Sequence, residues 1–180
     1  GSPSGGSWSV VTGSGSINSA TYSTGSINTD ETVKVRYTIS ANGACSGSTA
    51  DKSFTVNAAP SAGVLSGTTT LCDNGTTTFS STVSGGTWTS ATTGVATINS
   101  STGVVSGVSA GTSVMTYTVS GSGGCSNASA TRTVTVDATS VAGSISGGGV
   151  TLCTGGAYSL TLSGHTGDIT KWQSRVYRKL

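Results

Sequence analysis

The sequence predicts an all-β chain assembled as a tandem array of sandwich-like modules, and three observations carry that expectation. The text repeats with a period of about eighty residues: Gly-Gly-Ser-Trp at 5–8 returns as Gly-Gly-Thr-Trp at 85–88, and Cys45, thirty-seven residues after the first tryptophan, returns as Cys125. A second series, Thr-Leu-Cys-Asp-Asn-Gly around Cys72 and Thr-Leu-Cys-Thr-Gly-Gly around Cys153, keeps nearly the same spacing. Periods of this size mark tandem modules. Apolar residues alternate in short runs, and 28 glycines with abundant Ser and Thr separate those runs, the profile of short strands joined by turns.

Taken in order, the elements follow from that alternation. In Val33-Lys34-Val35-Arg36-Tyr37-Thr38-Ile39 every second residue is apolar, so a period of two places Val33, Val35, Tyr37 and Ile39 on one buried face and the charges toward water. Phe54-Thr55-Val56 closes that repeat. Ser113 to Val119 is the corresponding strand of the next repeat, less strictly alternating, with Tyr117 in the register of Tyr37. Gly121-Ser122-Gly123-Gly124 is a turn, Thr133-Val134-Thr135-Val136 closes the second repeat, and Ser159-Leu160-Thr161-Leu162 opens the third. No stretch has helical periodicity. Short strands with turn signals every eight to twelve residues point to a sandwich or barrel.

Within the whole repeat, Gly94-Val-Ala-Thr-Ile-Asn-Ser-Ser-Thr-Gly-Val-Val-Ser-Gly-Val-Ser-Ala-Gly-Thr112 resembles the signature of bacterial Ig-like group 2 domains. With its Gly-Gly-Thr-Trp phrase the repeat also resembles those of large cell-surface proteins of gliding and related Bacteroidota. The resemblance covers residues 60–136; the first repeat departs from it, because 13–25 lacks the Gly-Val-Ser-Ala-Gly turn. It implies tandem Ig-like β-sandwich modules in an exported, mostly non-catalytic adhesin or stalk. The expected boundaries are the C-terminal part of a first Ig-like repeat at 1–57, a complete repeat at 58–137, and the N-terminal part of a third at 138–180. Asn57-Ala-Ala-Pro60 and Asp137-Ala-Thr-Ser140 are short linkers of the kind that make a semi-rigid rod.

Composition excludes several classes. The formal charge of +2 misleads, since Lys171, Arg175, Arg178 and Lys179 supply four of the eight basic residues; residues 1–170 hold four basic and six acidic side chains, a net of −2. No basic stripe could neutralise phosphates, so no nucleic-acid partner is expected. No membrane span is expected in this fragment either, because no apolar run approaches the roughly 20 residues a helix needs to cross a bilayer. The closing Arg-Val-Tyr-Arg-Lys-Leu and the opening Gly-Ser-Pro-Ser depart from the rest and read either as native chain or as non-native remnants.

Four cysteines in so Ser/Thr-rich a chain point to an oxidising exterior. They lack C-x-x-C spacing, and one histidine is too few for zinc, so no metal or cofactor is expected. Two pairings are open. Cys72 with Cys125 would close the repeat on itself and leave Cys45 and Cys153 to partners outside the chain; Cys45 with Cys72 and Cys125 with Cys153 would use every thiol. The first is preferred, because a repeat should carry its own staple and a loop this long could contribute about 3–4 kcal/mol. Against it stands geometry, if Cys72 ends a first strand and Cys125 begins the last.

Trp8, Trp88, Tyr37 and Tyr117 are expected to fill the core between sheets, and Trp172 to join them. Gly107-Val-Ser-Ala-Gly111 matches G-x-S-x-G, but a nucleophile elbow needs a helix after it. His165 with Asp168 reads as a solvated turn, and Asp30-Glu31 as a turn cap rather than a calcium site. Asn74, Asn99 and Asn127 head glycosylation sequons that are chance matches if the protein is bacterial.

The leading functional expectation is a non-catalytic extracellular segment of a bacterial surface filament or adhesin, with gliding as one setting and a surface or glycan as the ligand. A carbohydrate-binding module is the second, to be favoured by exposed Trp88 and Tyr117. An ice-binding solenoid is the third, prompted by Thr68-Thr-Thr70 and Thr76-Thr-Thr78. An enzyme ranks last. The cut phase of the repeats adds one further expectation, that neighbouring repeats or other copies complete the half-modules head-to-tail by strand addition, although trimming explains the same cut more simply.

Overall fold

The computed structural model describes residues 5–173; the opening Gly-Ser-Pro-Ser and the closing Arg-Val-Tyr-Arg-Lys-Leu lie outside the described residues. Among the described residues the chain is all-β, with no helix. The strands are β1 (Gly6–Thr12), β2 (Ser16–Asn18), β3 (Thr21–Ser23), β4 (Glu31–Ile39), β5 (Ser48–Val56), β6 (Leu65–Ser66), β7 (Thr70–Cys72) and β8 (Thr76–Thr78). They continue with β9 (Ser80–Ser81), β10 (Thr87–Ser90), β11 (Ala96–Ile98), β12 (Val104–Gly107), β13 (Gly111–Val119), β14 (Ala128–Asp137), β15 (Ser144–Ser146) and β16 (Thr161–Ser163). Sheet orders are β1-β4-β5, β10-β13-β14-β7 and β11-β12-β8, with three two-stranded pairs, β2-β3, β6-β9 and β15-β16.

The chain forms two compact units. The first gathers residues 5–66, 80–89 and 116–132. Its buried apolar side chains are Val33, Val35, Ala62, Trp88 and Tyr117. The alternation in β4 sends Val33 and Val35 inward, while Lys34 and Arg36 take the other face and meet Asp51 of β5 at 2.9 and 2.7 Å. The guanidinium and ammonium hold the Asp51 carboxyl far below the usual carboxylate range. The expected buried stripe is only partly built: Tyr37 is half-buried and Ile39 is 42% exposed. Ile39 is flanked in its sheet by Gly6 and Ser48, neither of which offers an apolar side chain to cover it.

The second unit gathers residues 67–79, 90–115 and 133–173. Phe79, Ala96, Val105, Met115, Val134 and Val136 make its core. Ser113 is the buried polar residue among them, and it is satisfied: its hydroxyl lies 3.0 Å from that of Ser90 and accepts from the Thr92 amide at 3.1 Å. A buried hydroxyl without partners would cost about 1–3 kcal/mol, so this small network is what lets a serine occupy the core.

The third predicted run, Ser159–Leu162, is a strand only over Thr161–Ser163, paired to β15 with Leu162 opposite Ile145. Leu65 faces Ser81 in the same way in β6-β9, at spacings of 80 and 81 residues. The packing differs, however. Phe79 is 1% exposed, whereas Leu160, eighty-one residues on, is 54% exposed. Phe79→Ala is expected to destabilise the protein by about 3–5 kcal/mol, and Leu160→Ala to stay within about 0.5 kcal/mol, read from urea unfolding midpoints at constant slope.

Candidate functional site

The tryptophan of each Gly-Gly-x-Trp phrase stands against a tyrosine. Trp8 faces Tyr37 directly across β1 and β4, with ring centroids 4.9 Å apart and planes tilted by 51°. Trp88 and Tyr117 repeat the arrangement at 4.8 Å and 45°. Gly6 and Gly86 are required beneath these rings, because a Cβ at either would overlap the ring of Tyr37 or Tyr117. The Tyr117 hydroxyl accepts from the Gly86 amide at 2.8 Å and donates to the Val83 carbonyl at 2.9 Å. Trp88 and Tyr117 are 4% and 5% exposed, while Trp8 and Tyr37 are half-buried. Trp172 is 57% exposed and so lies outside the core that the sequence expected it to join.

The expected Cys72–Cys125 disulfide is not formed, nor are Cys45–Cys72 and Cys125–Cys153: all four cysteines are free thiols. For the first pair, strand register gives the reason. Cys72 is paired in parallel with Asp137, the last residue of β14, whereas Cys125 lies three residues before that ten-residue strand begins. The strand spans about 30 Å at its usual rise, against the roughly 7 Å Cα separation that a bridge allows.

Ser109, Asp30, Glu31, Asn99 and Asn127 have structural partners. Gly107–Gly111 joins β12 to β13, a strand-turn-strand passage, and the Ser109 hydroxyl donates to the Gly94 carbonyl at 2.7 Å. His165 and Asp168 are exposed. The Asp30 carboxylate accepts from the Ala58 amide at 2.8 Å and that of Glu31 from the Ser14 amide at 2.9 and 3.0 Å, so both tie backbone segments down. Asn99 and Asn127 accept from nearby amides and shape turns. Among the described residues no three His, Cys, Asp or Glu side chains cluster as metal ligands, and no helix is long and apolar enough to cross a membrane.

The first unit holds a cavity of about 650 Å³, which sequence reading did not identify. Residues 24–27 make one wall, 54–57 with Ala59 the other, and Gly123–Cys125 the end. Ile27, Phe54 and Val56 give it an apolar floor. The Cys125 thiol donates to the Asn57 carbonyl at 3.5 Å.

Its meaning comes from the second unit, where residues 104–107 and 134–137 stand eighty positions further along and a strand lies between them. Thr70, Leu71 and Cys72 pair in parallel with Thr135, Val136 and Asp137. The Thr135 amide donates to Thr69 at 2.7 Å and the Asp73 amide to Asp137 at 2.9 Å. On the other side the Asn74 amide donates to Gly107 at 3.2 Å, and the Gly107 amide to Gly75 at 2.9 Å. Gly107 permits this closeness, since a Cβ there would stand 2.8 Å from the Cys72 carbonyl and 3.2 Å from both Leu71 and Val136.

No protein-family model matches the chain, and no curated protein matches it. Tyr117→Phe removes the acceptor of a part-buried amide while leaving the ring, so it is expected to lower stability by about 1–3 kcal/mol, measured by chemical denaturation.

Proposed function

We propose that the chain is a segment of a non-catalytic extracellular stalk or adhesin of a bacterial cell surface, built of tandem Ig-like modules of about eighty residues. The modules are read at 1–57, 58–137 and 138–180, the first and last being parts of repeats, and the ligand is a surface or a glycan met by the assembled array. The observation that carries this reading is the recurrence of one geometry at an eighty-residue spacing. Gly6, Trp8 and Tyr37 are arranged as Gly86, Trp88 and Tyr117 are, and the strand order β1-β4-β5 has β10-β13-β14 as its counterpart. The composition supports the same reading, since a chain with 8% charged residues and chemically engaged Ser, Asp and Glu side chains has spent its sequence on strands and turns.

Two alternatives lose support. A glycan-stacking role for Trp88 and Tyr117 requires accessible rings, and both are buried. An ice-binding face requires a continuous threonine ladder, but Thr70 lies in the β10-β13-β14-β7 sheet and Thr76–Thr78 in the β11-β12-β8 sheet.

Pulling the chain from its two ends in a single-molecule force experiment tests the modular stalk. A discrete event releasing about eighty residues, close to 280 Å of contour at roughly 3.5 Å per residue, is expected. Release of the whole chain in one step, or extension without a force peak, would contradict the reading.

A further inference from the structure

The cavity of the first unit stands at the place that repeats the occupied slot of the second, with Ile27 at the position of Gly107. In the second unit residues 71–75 fill the space between 104–107 and 134–137, bonded to both walls. Eighty residues earlier, 24–27 and 54–57 bound a cavity, and β5 is the outer strand of its sheet. Asn57 shows the difference at one atom: its counterpart Asp137 accepts from the Asp73 amide at 2.9 Å, while the Asn57 carbonyl takes a weak thiol donor, Cys125, at 3.5 Å.

The chain also carries a second strand of the inserting type. Thr151-Leu152-Cys153 repeats Thr70-Leu71-Cys72, and the turn that follows is already set, with the Gly156 amide donating to Cys153 at 2.9 Å as Gly75 donates to Cys72 at 2.9 Å. Leu71 is half-buried and paired with Val136, whereas Leu152 is 49% exposed and residues 151–153 belong to no sheet.

We propose that the cavity is a strand-acceptor site whose occupant is Thr151–Cys153 of a second copy of this chain. By the register of the occupied slot, the incoming Thr151 pairs with Thr55, Leu152 with Val56 and Cys153 with Asn57. Leu152 then enters the apolar floor beside Ile27 and Phe54, and the open edge of β5 gains backbone partners. Because Cys125 already touches the Asn57 carbonyl, the same register brings the incoming Cys153 beside Cys125. This accounts for two cysteine series of nearly equal spacing whose members are free thiols in the single chain, since the two series meet when a strand fills the slot. Donor and acceptor surfaces are different, so the contact is head-to-tail and propagates. The inference holds whether or not the assembly serves as a stalk.

Bridging needs an oxidant, and oxidised glutathione is sufficient. One thiolate attacks its disulfide and releases one reduced glutathione; the second thiolate attacks the mixed disulfide, forms the Sγ–Sγ bond and releases the other. Two protein thiols are oxidised and one glutathione disulfide is reduced.

The test uses the full chain with Cys45→Ser and Cys72→Ser, both at exposed positions away from the cavity lining, equilibrated in a glutathione redox buffer at high and low protein concentration. The expected products are dimers and longer species, with Cys125–Cys153 dominating the mapped disulfides. Leu152→Asp is expected to reduce that product by about tenfold or more, because an unpaired carboxylate is costly in an apolar slot. A free peptide of residues 148–156 carrying Ser in place of Cys153 is expected to compete, with the Leu152→Asp peptide inert. Statistical mixtures of Cys125–Cys125, Cys125–Cys153 and Cys153–Cys153 would overturn the proposal. So would a Cys125–Cys153 bridge in a species of monomer mass, or cross-linking indifferent to Leu152→Asp.

Discussion

The insertion of Thr69–Gly75 between two other strands is the constraint on which the second unit depends. One short segment satisfies backbone groups on both sides, from Thr135 and Asp137 on one edge and from Gly107 on the other, and delivers Leu71 to Val136 at the same time. Strands of three or four residues bury little apolar area each, so a segment that bonds in two directions does more than its length suggests. The sequence chemistry is fitted to it. Gly107 has no Cβ because the Cys72 carbonyl occupies that space, and Asp73 accepts from the amide and hydroxyl of Thr139 just beyond β14.

The first unit is held by different means. Its sheet is braced on one face by the Arg36–Asp51–Lys34 group and on the other by Val33, Val35 and the tilted Trp8–Tyr37 pair. The surface ion pairs are screened by salt and contribute little individually, so the apolar face carries most of the stabilisation. Where the second unit has its inserted strand, the first has an apolar cavity and a thiol. The place filled by a strand in the second unit is thus lined by a cavity in the first.

Much of this architecture was legible in the sequence, and the limits are instructive. Alternation located β4, β13 and the end of β14, because side-chain period is a local property. The Trp–Tyr pairs were legible as core aromatics through their spacing, although only Trp88 and Tyr117 are fully covered. The preferred disulfide fails on the geometry that stood against it in the sequence: Cys72 meets the end of β14, and Cys125 lies before its start. The cavity was missed because residues 24–27, 54–57 and 123–125, far apart in the chain, meet only through long-range packing that no local pattern encodes. The recurrence of Thr-Leu-Cys at 151–153 was the available signal, since a phrase repeated with its turn marks a repeated structural duty.

Amide hydrogen exchange on the isolated chain at low concentration tests the central claim, that one slot is closed by the chain's own strand and its counterpart is open. Thr135 and Thr55 occupy corresponding places and each follows a bulky apolar residue, Val134 and Phe54, so their intrinsic exchange is comparable. The account predicts that Thr135, bonded to Thr69 at 2.7 Å, exchanges slower than Thr55 by about two orders of magnitude or more, the difference between a paired amide and one on an open edge. Equal protection at the two positions would contradict it.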